Sequence, residues 1–207
     1  MSNKKRTRLV PAARRQQILD SARGLFEEHG YGAVSMGDVA LGAGVTRALV
    51  HHYFGSKRAL YLDVVREVLS EAPTLVPPDA ADSVEDMVRR NAHALLDYLS
   101  ANRGMLLAIA PSGDLGRDPE VAALADAARE TAVDQVIANH LGSLPGPPEA
   151  RLVIRAFIGL VESASREWLF HGRATRAQVE ALVAHSILAL MSDALPAVVA
   201  AGERSTA

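Results

Sequence analysis

SMGDVALGAGVTRALVHHYF, residues 35–54, is the stretch that decides the fold. Ser35 followed three residues later by Asp38 has the pattern of a capping box, in which two side chains satisfy free backbone N–H groups at a helix start. A short helix therefore opens here. Gly42 and Gly44 break it, and Thr46, a good N-cap, starts a second short helix that runs to about Phe54. Ala40 is small, so the two helices can approach. Gly44, four residues on, can take the left-handed conformation the turn needs. Val50, six further, plugs the space between the helices, with Val39, Val45, Tyr53 and Phe54 around it. Helix, Gly turn, helix is the arrangement whose second helix lies in a DNA major groove.

Helical signals continue in both directions. Ile18, Leu19, Ala22, Leu25 and Phe26 share one face of a helix that begins near residue 11 and ends at Gly30. Ser56 caps a helix carrying Leu60, Val64, Val65 and Val68, which Pro73 stops. Pro77-Pro78-Asp79 reads as a linker. Ser83 with Asp86 is a second capping box, and Asp118 before Pro119 is a good N-cap before Pro at the first helical position. Helices are expected over 83–101, 103–110, 119–141 and 148–170, and from Thr175 onward. No strand pattern is visible. The fold class is all-α: an N-terminal three-helix helix-turn-helix domain followed by a C-terminal helical bundle for dimerisation and ligand binding. The expected boundaries are a basic flexible arm at 1–10, a reading domain at 11–55, the bundle at 56–200 and a flexible tail at 201–207.

Composition narrows the function. The chain has 207 residues, 49% hydrophobic and 4% aromatic, with no cysteine. That excludes a disulfide scaffold, a cysteine nucleophile and a Cys-based zinc site. The most apolar run, Ile187 to Ala201, is interrupted by Asp193 and Pro196, so no membrane span is expected, and no secretory signal is visible. A cytoplasmic location is the reading. Net charge is −2, but residues 1–58 carry ten basic against four acidic side chains, and the remainder is acidic. A basic first quarter on an acidic body suits a polyanion at one end.

The stretch ILDSARGLFEEHGYGAVSMGDVALGAGVTRALVHHYFGSKRALYLDVV, from Ile18 to Val65, resembles the DNA-binding domain of the TetR (tetracycline-repressor-like) family of transcriptional regulators. The telling pieces are Leu25-Phe26 with His29-Gly30-Tyr31, Val39-Ala40 with Ala43-Gly44-Val45, and Tyr53-Phe54-Gly55-Ser56-Lys57 with Leu60-Tyr61. Many members carry Tyr where this chain has His51. The resemblance implies a homodimeric repressor released from its operator by a small molecule.

Roles follow from helical geometry. Thr46, Arg47, Ala48, Leu49, His51 and His52 face outward or toward DNA. Arg47 is placed to fork onto guanine, and Ala48 and Leu49 to touch thymine methyl groups. Ser35, His51, Tyr53 and Lys57 suit phosphates. Lys4, Lys5, Arg6 and Arg8 could reach a neighbouring minor groove. One such head reads few base pairs, so two copies about 34 Å apart on a pseudo-palindrome are required. Phe157, Val161, Ile187, Leu190 and Met191 lie on wide apolar arcs of the last two helices, which the resemblance makes the dimer interface. Asn91, Tyr98, Arg129, Gln135 and Trp168 are the expected lining of a mostly apolar effector pocket.

The rival classes are a helical-bundle enzyme and a protein-interaction module that does not bind specific DNA. Gly42-Ala-Gly44 is no dinucleotide fingerprint, since no strand precedes it. There is no phosphate loop, nucleophile elbow or His-Glu-x-x-His, and the seven histidines are scattered. No cofactor, no metal site and no membrane partner are expected. The expected partners are double-stranded DNA, a second copy of the chain and a small effector.

Overall fold

The computed structural model describes residues 10–76, 83–110, 113, 115, 117–141 and 147–205. The helices are α1 (Pro11–Ala33), α2 (Met36–Gly42), α3 (Arg47–Phe54), α4 (Lys57–Ser70), α5 (Val84–Ala101), α6 (Arg103–Ile109), α7 (Pro119–Leu141), α8 (Pro148–Leu169), α9 (Arg176–Ala189) and α10 (Leu195–Ser205). A π-helical turn, Leu190–Ala194, joins α9 to α10. No strand occurs among the described residues. The basic arm residues Lys4, Lys5, Arg6 and Arg8 lie outside them, as do Pro77, Pro78 and Asp79.

The local signals do what their chemistry predicts. Ser35 and Asp38 form a full capping box, as do Thr175 and Gln178. Ser83 Oγ accepts from Asp86 N, and Asp118 Oδ1 accepts from the N–H groups of Glu120 and Val121. Gly30 has φ 75°, so regular helix stops there although α1 is nominally longer.

Two compact units form: Met1–Ser70 with Gly104–Leu124, and Glu71–Arg103 with Ala125–Ala207. The first therefore extends past residue 55. The reason is the apolar face of α4, where Leu60, Tyr61, Val64, Val65 and Val68 are buried. Tyr61 meets Phe26 and Tyr31 edge-on, with centroids at 5.1 and 5.0 Å. Such pairs are worth about 0.5–1.5 kcal/mol beyond their buried area. Glu27 of α1 accepts from the N–H groups of Gly104 and Met105, at 2.6 and 2.8 Å, which caps the start of α6. A Cβ at Gly104 would lie 2.4 Å from the Glu27 carbonyl oxygen, so only glycine permits this approach.

The core of the second unit is built from Met87, Val88, Ala92 and Leu96 of α5, Val133, Val136 and Ile137 of α7, Ile154, Phe157 and Val161 of α8, and Val179, Val183 and Ile187 of α9. Ion pairs lace α7 to α8 along their polar edge: Arg129 to Glu162, Arg151 to Glu130 and Asp134, and Arg155 to Glu130.

The C-terminal end departs from the sequence reading in two ways. The helical path runs through Asp193 and Pro196 to Ser205, so residues 201–205 are helical. Proline has no N–H, and its ring clashes with the carbonyl four residues back. Here the π-helical turn opens the helix just before Pro196, and Leu195 N–H donates to the Leu190 carbonyl. The continuous helix Arg176–Arg204 is consequently long and apolar enough, by length and composition, to cross a membrane, which the broken run in the sequence did not suggest. Only 11% of its most apolar window is buried.

Candidate nucleic-acid interface

The reading head is built on a close turn. Ala43 caps α2, and Gly44 follows with φ 61°. Val45 N–H donates to Ala40 O at 2.9 Å, and Gly44 N–H to Leu41 O at 3.0 Å. This pair of bonds is a Schellman motif, with glycine at the left-handed position. Thr46 then caps α3 through Leu49 N. Val50 is 0% exposed and Phe54 is buried, so one face of α3 is fixed inward. Val45 is half-buried beside the turn.

The opposite face carries the residues expected to meet DNA. Thr46, Arg47, Ala48, His51 and His52 are exposed, and Leu49 is half-buried. Arg47 has no ion-pair partner among the described residues, so its guanidinium is available to a base edge or a phosphate. His52 stacks edge-on with Tyr53 at 5.4 Å, and Tyr53 is half-buried.

His51 has a local task. Its Nδ1 lies 3.0 Å from the Gly55 carbonyl, at the end of α3. A carbonyl only accepts, so Nδ1 carries the proton and Nε2 is left as the ring's other polar atom. Lys57 is also held: its ammonium sits 4.3 Å from the Tyr31 ring centroid and donates to Gly32 O at 3.4 Å. A fixed cation at the start of α4 suits a phosphate. Ser35 is exposed, but its hydroxyl accepts from Gly37 N and Asp38 N and donates to Asp38. The Ser35 hydroxyl and backbone N–H, both donating to Asp38, hold its carboxyl below the usual carboxylate range.

Several residues around the head escaped sequence reading. Arg15 spans α1 to α4, pairing with Asp63 at 2.6 Å while its guanidinium lies over the Phe54 ring at 4.8 Å. Arg58 grips Asp118 with two bonds and reaches Glu120, which also pairs with Arg66. The Arg58 contact holds the Asp118 carboxyl below its ordinary range. Gln17 donates to Ala43 O. Leu41 is 83% exposed. Only Leu41 had a signal in the sequence, as an apolar residue opposite the buried face of α2. The others depend on pairings across helices.

The expected pocket and interface residues all lie in the second unit. Asn91 exchanges two hydrogen bonds with the Val76 backbone, and Gln135 accepts from Leu75 N at 3.4 Å. Together they hold the segment that follows α4 within the second unit. Arg129 is bound to Glu162 and Asp126. Tyr98 is half-buried, and Trp168 packs partly buried against the core. A depression of about 510 Å³ on the α7–α8 edge includes Arg129 but none of the other four. Phe157, Val161 and Ile187 lie in the core of the second unit, while Leu190 and Met191 pack half-buried at its margin. Their helices have apolar arcs wide enough to fill a core and still show an outer face. Leu152, Ala156 and Gly159 of α8 and Leu182 and Ala189 of α9 are exposed. Leu160, Ser186, Ala189, Leu190, Asp193 and Ala194 line a shallow, largely apolar depression of about 500 Å³.

The first unit is thus a helix-turn-helix head with a cationic, uncovered reading face, and the second is an all-helical body. Residues 18–64 match the family of bacterial regulatory proteins called the tetR family, and residues 84–190 match the tetracyclin repressor-like C-terminal domain. The chain belongs to the TetR family. A tetR-family transcriptional regulator from Streptomyces coelicolor superimposes with a TM-score of 0.78 at 27% identity, over 92% of this chain and 88% of that one. The transcriptional activator FasR of Mycolicibacterium smegmatis is 27% identical over 83% of this chain and 79% of its own length. The regulator BetI of Agrobacterium fabrum is 38% identical over 46% of this chain, a stretch that spans 39% of that regulator.

Proposed function

We propose that the chain is a sequence-specific, homodimeric DNA-binding transcriptional regulator of the cytoplasm, neither an enzyme nor a membrane protein. The observation that carries this reading is the exposed face of α3, with Thr46, Arg47, Ala48, His51 and His52 outward and Val50 and Phe54 locked inward. Arg47 reads a guanine edge, Leu49 and Ala48 touch methyl groups, and Lys57, Ser35, His51 and Tyr53 meet the phosphates. The basic arm with Lys4, Lys5, Arg6 and Arg8 adds a minor-groove contact. Two heads are presented by self-association through the uncovered apolar face of α8, α9 and the π-helical turn.

The bound regulator represses by occupying its operator, and a small, mostly apolar effector in the second unit releases it. Membership in the family supports the effector, and Asn91, Tyr98, Arg129, Gln135 and Trp168 of the second unit are its proposed contacts. The test is anisotropy titration of the purified protein with the duplex upstream of its own gene, and with duplexes selected from random sequence. A preference over scrambled DNA, two protomers or more per site and a log–log salt slope of about −5 or steeper support the reading. No binding to any duplex at low salt refutes it.

A further inference from the structure

Ala43 ends α2 and is buried at 3% exposure. Its own N–H is used, donating to Val39 O at 2.9 Å. The Schellman bonds of the turn satisfy the carbonyls of Ala40 and Leu41. They leave the Ala43 carbonyl, which no backbone N–H of the turn reaches among the described residues. A buried carbonyl needs a donor. The donor comes from another helix: Gln17 Nε2 of α1, at 2.9 Å.

The Gln17 amide is itself held. Arg14 Nη1 donates to Gln17 Oε1 at 2.7 Å. The two partners settle which way the amide points, because a guanidinium only donates and a carbonyl only accepts. Their opposite demands also restrict the residue type. A carboxylate at position 17 would satisfy Arg14 and oppose the Ala43 carbonyl. An ammonium would satisfy the carbonyl and repel Arg14. An amide of this reach meets both.

One turn further along the same face of α1, Ser21 Oγ donates to Val39 O at 3.2 Å. A Cβ on Gly42 would lie 2.5 Å from that hydroxyl. Positions 17 and 21 therefore grip the C-terminal carbonyls of α2 at two successive points. The second grip fixes how closely α1 and α2 approach. The first acts on the turn itself, three residues before Thr46 opens α3.

We propose that Arg14 and Gln17 are positioning residues for DNA reading: the relay Arg14 to Gln17 to the Ala43 carbonyl sets the orientation in which α3 presents Arg47 and its neighbours. This rests on the DNA-reading role of α3 given above. A base-edge contact is directional, whereas a phosphate contact tolerates a shifted donor. Loosening the relay therefore costs preference for the right sequence, and leaves general affinity for DNA in place.

The experiment uses the full chain and two probes, a duplex selected by the wild-type protein from random sequence and its scrambled counterpart. The variants are Gln17→Met, which keeps length and packing without the donor, and Gln17→Glu, which keeps the Arg14 partner and removes the donor. Each is expected to lose about tenfold in preference for the selected duplex. Affinity for the scrambled duplex and the salt slope should stay at wild-type values. Arg14→Met should weaken preference in the wild-type background and change it no further in Gln17→Met. Glu27→Gln, which weakens the cap on α6, serves as a control of lowered stability and should keep the wild-type preference.

The relay is overturned if Gln17→Met retains full preference, or if Glu27→Gln, matched in lost stability, loses preference equally. A wild-type protein that does not distinguish the two duplexes refutes the reading role itself. That failure is separate, since it appears before any variant is compared.

Discussion

Gly44 and Gly24 should respond with opposite signs to the same substitution. Neither would bring a new Cβ within 4 Å of another group, so steric clash is absent at both. Gly44 has φ +61°, and a left-handed residue with a side chain costs about 1–2 kcal/mol. Part of this is offset, because alanine restricts the unfolded chain by about 0.4–1 kcal/mol relative to glycine. Gly44→Ala should therefore destabilise by about 1 kcal/mol. Gly24 lies inside α1, is exposed and has no positive φ. Gly24→Ala should stabilise by about 0.5–1 kcal/mol, the helix-propensity difference. Gly44→Asn should recover much of the loss, since asparagine tolerates the left-handed region better than alanine. The assay is urea denaturation followed by far-ultraviolet circular dichroism, at fixed protomer concentration because association stabilises the folded state by mass action. The midpoint should fall for Gly44→Ala and rise for Gly24→Ala with unchanged slopes. A Gly44→Ala midpoint at or above wild type refutes the left-handed turn on which the orientation of α3 depends.

Three further outcomes are expected. Arg47→Ala should leave the unfolding midpoint unchanged and cost about 1–3 kcal/mol of binding to a selected duplex, with preference relaxed at one base pair; anisotropy against single-base variants measures this. Acid should weaken the second unit through Glu130, whose carboxyl is brought down to about 2 by hydrogen bonds from Arg155 and Arg151. A depressed folded pKa means the contribution is complete above the unfolded value of 4.5 and disappears as pH falls from there toward about 2. Arg155→Met should flatten the pH dependence of the midpoint within that window. Ala189→Glu, on an exposed position beside Asp193, should weaken self-association at least about tenfold by like-charge repulsion while far-ultraviolet dichroism stays the same. Sedimentation equilibrium reads it, and an unchanged dimer would remove α9 from the interface.

The parts of the fold legible in the sequence are those encoded within a few residues. Capping boxes at Ser35–Asp38 and Thr175–Gln178 need only the chain between them, and Gly44 needs only its own φ. The outward face of α3 follows from the inward pair Val50 and Phe54, because a helix that buries one side exposes the other. The hold on that helix is of another kind. Gln17 lies 26 residues from Ala43, and Glu27 lies 77 residues from Gly104. Neither residue has a neighbour in sequence that announces its partner, and a polar side chain on a helix most often faces water. His51 shows the same limit at shorter range. Its type and exposure fit a phosphate contact, yet the bond that fixes its tautomer depends on the conformation Gly55 takes at the end of α3.

The apolar arcs of α8 and α9 show what helical spacing leaves open about the proposed interface. A wide arc says that a helix touches neighbours on two sides, and leaves open which residues face which. Apolar spacing and the family resemblance together assigned Phe157, Val161, Ile187, Leu190 and Met191 to the partner. Within one chain Phe157, Val161 and Ile187 already pack in the core, and burying a large side chain stabilises by about 1.5–3 kcal/mol. What remains uncovered is the smaller set on the outer face, Ala156, Gly159 and Ala189, with Leu152 and Leu182. Small residues let two helices approach closely, so an interface here would form through near contact of backbones and would gain from the π-helical turn that carries the helix past Pro196. The polar residues that interrupt the apolar stripes of α5 and α7 follow the same logic. Asn91 and Gln135 meet the backbone of residues 75 and 76, so they hold a connection in place.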